Sequence, residues 1–98
     1  MSTNVHGLQT LDELRTYVHE TLCEYDHLEV GAFDFSEQIL VRGGKPCGLL
    51  FRLHGPRSVQ LLAIWETDRN TLLFYNSSGE RFQKTELVAM PKLRLQAA

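Results

Sequence analysis

The stretch Cys47–Tyr75, CGLLFRLHGPRSVQLLAIWETDRNTLLFY, decides the fold. Its apolar side chains alternate at the period of a β-strand, where successive residues point to opposite faces. Gly55-Pro56-Arg57 and Thr67-Asp68-Arg69-Asn70 cut it into three runs with residues that favour turns. Turns this short join neighbouring strands antiparallel. Both alternating sets are apolar. One holds Cys47, Leu49, Phe51, Leu53, Val59, Leu61, Ala63, Trp65, Leu72 and Phe74; the other holds Leu50, Leu62, Ile64, Leu73 and Tyr75. An antiparallel sheet with one solvated side ordinarily reads polar on that side.

The pattern extends in both directions. Upstream, Gly43-Gly44-Lys45 separates this stretch from a run over Phe35–Val41; downstream, Ser77-Ser78-Gly79 leads into a run over Glu80–Val88. Predicted strands are thus Phe35–Val41, Cys47–His54, Ser58–Glu66, Thr71–Asn76 and Glu80–Val88. Before them the period changes to that of a helix. Leu11, Leu14, Val18, Leu22 and Tyr25 form one apolar stripe, and Thr10 with Glu13 has the spacing of a capping box. The spacing predicts a helix over Leu11–Asp26. The expected fold is α+β, with one N-terminal helix packed on one face of a five-stranded antiparallel meander sheet. Residues 1–98 read as a single domain, with 1–9 a flexible N-terminus and 89–98 a C-terminal tail.

Strand register follows from keeping apolar residues on one face, because a one-residue slip exchanges the faces. A three-residue turn at Gly55-Pro56-Arg57 places Cys47 opposite Trp65, Leu49 opposite Ala63 and Phe51 opposite Leu61. Val41 then meets Cys47, Ile39 meets Leu49, Ala63 meets Phe74, and Phe74 meets Phe82. The helix stripe belongs against this face. On the other face Leu50 meets Leu62, Leu62 meets Tyr75 and Ile64 meets Leu73, with Leu40 nearby. Gln38, Arg52, Gln60, Glu66, Arg81 and Gln83 form a polar rim. Five large side chains at roughly 1.5–3 kcal/mol each on burial sum to on the order of 10 kcal/mol, an upper estimate for covering that patch. One helix cannot cover both faces.

Charge is lopsided. Residues 1–40 carry eight acids and one base, whereas residues 41–98 carry nine bases and four acids. The bases are spread rather than clustered, so an acidic helix complementing a basic sheet accounts for the asymmetry. No apolar run approaches the ~18 residues of a membrane-spanning helix, and Met1–Gly7 lacks the basic start of a secretory signal. Two distant cysteines make no disulfide framework, which points to a reducing cytoplasm.

No motif assigns chemistry. His19 and Cys23, at i and i+4, together with Cys47 and His54 supply the ligand types of a zinc site. Cys47 and His54, however, lie seven positions apart on one strand, about 23 Å, which denies them a shared metal or a nucleophile pair. Arg42-Gly43-Gly44-Lys45-Pro46 is basic and glycine-rich but leads into a strand, so it lacks the helix N-terminus of a phosphate site. Ser58, Ser77 and Ser78 stand in turns without nucleophile-elbow context. The sequence therefore yields no catalytic residue, no cofactor-binding residue and no metal ligand, and no cofactor.

The expected function is association through the second sheet face, with Leu50, Leu62, Ile64, Leu73 and Tyr75 at its centre and Arg52 and Arg81 on its rim. A homodimer ranks ahead of a different protein partner, because symmetric self-association is the commonest assembly. Folding of the tail Leu87–Ala98 over the same face is the competing structural explanation. Single-stranded nucleic acid held by Tyr75 between arginines is the alternative from another class, and an enzyme unrecognisable from one sequence is the third reading.

Overall fold

Thr10 opens helix α1, Leu11–Tyr25, through a complete capping box: its hydroxyl accepts from Glu13 N at 3.1 Å and Glu13 Oε1 accepts from Thr10 N at 3.2 Å. The helix ends where His27 turns left-handed at φ 55° and Leu28 N bonds back to Cys23 O at 2.8 Å. The computed structural model describes residues 2–5 and 8–88. Five strands follow the helix: β2 (Asp34–Arg42), β3 (Lys45–His54), β4 (Gln60–Glu66), β5 (Thr71–Tyr75) and β6 (Arg81–Leu87). They pair antiparallel in chain order, and α1 packs on one face across β3 and β4. This is the α+β meander that the sequence predicts.

A further strand, β1 (Ser2–Val5), lies parallel to β6 and extends the sheet at that edge. The sequence reading gave this stretch no element. Parallel pairing needs a crossover rather than a turn, so no local signal announces it.

The core lies between α1 and the inner sheet face. Leu14, Val18, Leu22 and Cys23 from the helix meet Leu49, Phe51, Leu53, Leu61, Ala63, Trp65, Leu72 and Phe74, all essentially inaccessible. The apolar stripe ends less deeply than its spacing implies, since Tyr25 remains 42% exposed, although its ring stacks on Phe82 at 3.8 Å. Arg15 ties the helix to β2 through two bonds to the Glu37 carboxylate, at 2.6 and 2.9 Å, a geometry that fixes orientation as well as distance. Tyr17, Gln83 and Thr85 close a small polar triangle inside, with contacts of 3.0–3.2 Å. Thr85 is wholly buried, so this triangle satisfies a hydroxyl that water cannot reach.

Register differs from expectation at three places. Between β3 and β4, Leu49 rather than Cys47 lies opposite Trp65, with Phe51 opposite Ala63 and Leu53 opposite Leu61. The connection is longer than a three-residue turn. Pro56–Ser58 makes a 3₁₀ turn with Arg57 and Ser58 left-handed, and Gly55 N donates to Val59 O at 2.8 Å. The displacement is two residues, so every side chain keeps its face. Between β2 and β3 a bulge falls after Leu40: Leu40 meets Gly48 but Val41 meets Pro46. Cys47 is the unpaired residue and becomes half-buried rather than core, and Val41 is 53% exposed. Between β5 and β6 a second bulge sets Phe74 opposite Gln83 and Tyr75 opposite Arg81. Gln83, expected on the rim of the second face, turns inward to Tyr17, and Lys84 and Glu86 take the outward positions opposite Leu73 and Thr71.

Asn70 holds the closed end of the β4–β5 hairpin. It sits left-handed at φ 49°, accepts the Trp65 indole N–H at 3.1 Å, donates to Leu87 O at 3.3 Å and receives Leu87 N at 3.0 Å. Asn70→Ala leaves the buried indole N–H without that acceptor and strains a left-handed site. The expected cost is about 2–3 kcal/mol, read from the midpoint of a urea unfolding curve.

Candidate interaction face

Opposite the helix, the sheet presents an outward face arranged in three rows across the strands. The middle row runs Gln38, Leu50, Ile64, Leu73 and Lys84, each paired to the next across a strand boundary. On one side lies a row of Ser36, Arg52, Leu62, Tyr75 and Arg81; on the other lie Leu40, Gly48, Glu66, Thr71 and Glu86. Strand alternation forces this arrangement, because outward positions along β4 (Gln60, Leu62, Ile64, Glu66) interleave with the buried Leu61, Ala63 and Trp65.

The predicted residues come together. Leu50, Leu62, Ile64, Leu73 and Tyr75 form one contiguous patch over β3, β4 and β5, extended onto β2 by Leu40. All six are half-buried by their neighbours in the sheet, and none reaches the burial of the inner face. Ile64 lies opposite Leu50, rather than Leu62 as expected, a consequence of the two-residue register difference. Arg52 pairs with Leu62 and Arg81 with Tyr75, so both arginines flank the patch on the same side. Sequence reasoning missed Lys84 and Glu86 here. The bulge that turns them outward leaves no mark in the alternation of charged residues.

Among the described residues no helix or strand lies over this face; α1 contacts the other side. Leu87 also belongs to the inner core, at 8% exposure. The rest of the tail expected to cover the face, 89–98, lies outside the described residues.

At one corner of the patch a cleft of about 390 Å³ opens, lined by Leu40, Cys47, Ile64, Glu66, Arg42 and Arg69. Arg42 reaches Asp68 at 4.0 Å with both side chains largely exposed, a weak surface pair. A shallower groove of about 440 Å³ follows the outer side of α1 beside Leu8, Asp12, Glu13, Thr16, Tyr17 and Glu20.

No known family model, curated protein or solved structure matches the chain. What the face can do therefore rests on its own chemistry.

The remaining candidates disperse. His19 stacks flat on Phe35 at 4.2 Å between ring centroids, and its buried Nε2 has no hydrogen-bond partner among the described residues. Its neighbour Cys23 turns into the core, away from any shared ligand position. Among the described residues no three His, Cys, Asp or Glu side chains gather at metal-binding distance. No helix among them is long and apolar enough to cross a membrane.

Both thiols are free. Burial pushes the Cys23 thiol up, which removes the reactive thiolate, while half-buried Cys47 stands at the cleft. Brief alkylation of the folded protein is expected to label Cys47 and spare Cys23, read by mass spectrometry of peptides; both label after denaturation.

Proposed function

We propose that this protein is a small non-catalytic interaction domain that self-associates by stacking the second sheet face against the same face of another copy. The observation that carries the reading is the contiguous half-buried patch Leu40, Leu50, Leu62, Ile64, Leu73 and Tyr75, with Arg52 and Arg81 at its edge. Such a patch loses its remaining contact with water when two sheets pack at about 10 Å, the ordinary spacing of a sandwich core. The two free thiols suit a reducing cytoplasm.

Sedimentation velocity over a dilution series tests the reading. A species of twice the 11.2 kDa chain mass that dissociates on dilution supports it, and a strict monomer at every concentration contradicts it. A different protein partner is then the reading that remains for the patch. Single-stranded nucleic acid is the weaker alternative, because the face offers Tyr75 as its one aromatic platform between Arg52 and Arg81. Its mark is binding that weakens steeply with added salt.

A further inference from the structure

The sign of charge changes across the patch along the strand direction. Arg52 and Arg81 stand in the row of Leu62 and Tyr75, whereas Glu66 and Glu86 stand in the row of Leu40 and Thr71. The apolar row Leu50, Ile64, Leu73 runs between them. Four positions along a strand separate the basic row from the acidic one, about 13 Å, so the two rows do not pair within one chain. Lys84 at the end of the middle row has its own partner, Glu86 at 3.8 Å. Beyond the rows, the strand ends and turns carry both signs, with Arg42, Lys45, Asp68 and Arg69 past the acidic row and Asp34, Arg57 and Glu80 past the basic one.

We infer that two copies pair face to face about a two-fold axis that runs across the strands, along the row Leu50–Ile64–Leu73, so that the basic row of each copy meets the acidic row of the other. The inference rests on the self-association proposed above and adds the arrangement. A face-to-face two-fold aligned with the sheet has two choices. An axis along the strands sets arginine row against arginine row and glutamate row against glutamate row. An axis across the strands reverses strand direction, so unlike rows meet, and like-charge juxtaposition is the stronger discriminator at an interface.

In that arrangement each strand faces itself in reverse. Arg81 on β6 meets the partner's Glu86 on β6. Arg52 on β3 comes over the partner's Gly48, which has no side chain to obstruct it, and beside the partner's Glu66 on the next strand. Leu50, Ile64 and Leu73 lie on the axis and each meets its own copy, with Ile64 at the middle of the row; Leu62 comes over the partner's Glu66, and Lys84 at the rim meets its own copy with Glu86 beside each. Five strands at about 4.8 Å and roughly six residues in length present on the order of 500 Å² in projection, and the accessible area of side chains exceeds its projection. That brings the face near the ~800 Å² per partner of a standard interface.

Charge reversal by rows tests the arrangement. One variant carries Arg52→Glu and Arg81→Glu, a second carries Glu66→Arg and Glu86→Arg, and a third carries all four. Each two-site variant is expected to weaken the dimer at least about tenfold, and the four-site variant to return near wild-type affinity, since the exchanged rows again meet unlike rows. Circular dichroism and the unfolding midpoint establish that each variant folds. Arg81→Glu, Glu86→Arg and their combination, at exposed positions, give the same cycle with less demand on the fold. A dimer whose affinity ignores the two-site variants, or that the four-site variant fails to restore, overturns the arrangement while leaving self-association standing. A wild-type monomer overturns both.

Discussion

Leu62→Asp or Ile64→Asp is expected to give a folded chain that no longer self-associates. Both positions point outward from β4 at the centre of the patch, and both are only half-buried within one chain. The aspartate carboxylate therefore stays hydrated in the isolated fold. In the stacked pair the carboxylate at 64 meets apolar side chains with no donor, the one at 62 meets the partner's Glu66 carboxylate, and symmetry repeats the loss on the partner. Removing part of a Leu or Ile contact, at roughly 1.5–3 kcal/mol when fully buried, and stranding a carboxylate on each copy sums to about 4 kcal/mol or more. That corresponds to about a thousandfold in the dissociation constant. Sedimentation velocity reads the mass, and the unfolding midpoint at low concentration reads the fold. Unfolding of the variant would make the second face ordinary core, with a cover from within the chain. A dimer that survives the substitution intact would place self-association elsewhere, for instance along the edge strand β2.

Gly48→Ala is expected to destabilise the fold strongly although it adds only a methyl group. A Cβ at this position runs into the carbonyl oxygen of Trp65, and the obstruction is backbone, which cannot rotate away. Gly48 pairs with Glu66 just past the bulge at Leu40, so the strands approach here more closely than a side chain permits. Opening the ladder to admit a methyl displaces Trp65, the largest fully buried side chain. Overpacking ordinarily costs about 1–3 kcal/mol; with a rigid backbone obstacle the upper end or beyond applies, a large fraction of the 5–15 kcal/mol that holds a domain. Urea unfolding measures it. Gly44→Ala makes the control, because that position has open space around it and strains only a left-handed φ of 78° in an exposed turn.

The parts of the fold that follow from local rules were legible in the sequence. Thr10 and Glu13 announce the helix start, because capping is a matter of three residues' spacing. The meander and the membership of each face between Gly48 and Tyr75 follow from the period of two and the placement of turns. The candidate patch survived a register difference because that difference was an even number of residues. What escaped depends on the number of residues spent at an irregularity. The bulges at Leu40/Val41 and Phe74/Tyr75 moved Cys47 out of the core, turned Gln83 inward and brought Lys84 and Glu86 outward. Gly48 and Pro46 inside a strand pattern were the available hints for the first, since neither residue type suits a strand interior. The second carried no comparable sign. Arg15 and Glu37, twenty-two positions apart, meet only once the helix lies on the sheet.

The second sheet face, and no other surface, is the contact proposed between copies. A dilution series followed by methyl NMR tests it most directly. The methyl signals of Leu40, Leu50, Leu62, Ile64 and Leu73 are expected to shift together as the dimer dissociates, while those of Leu49, Leu53, Leu61 and Leu72 on the helix side stay in place. Shifts confined to other surfaces, or a spectrum unchanged across the dissociation, would contradict it.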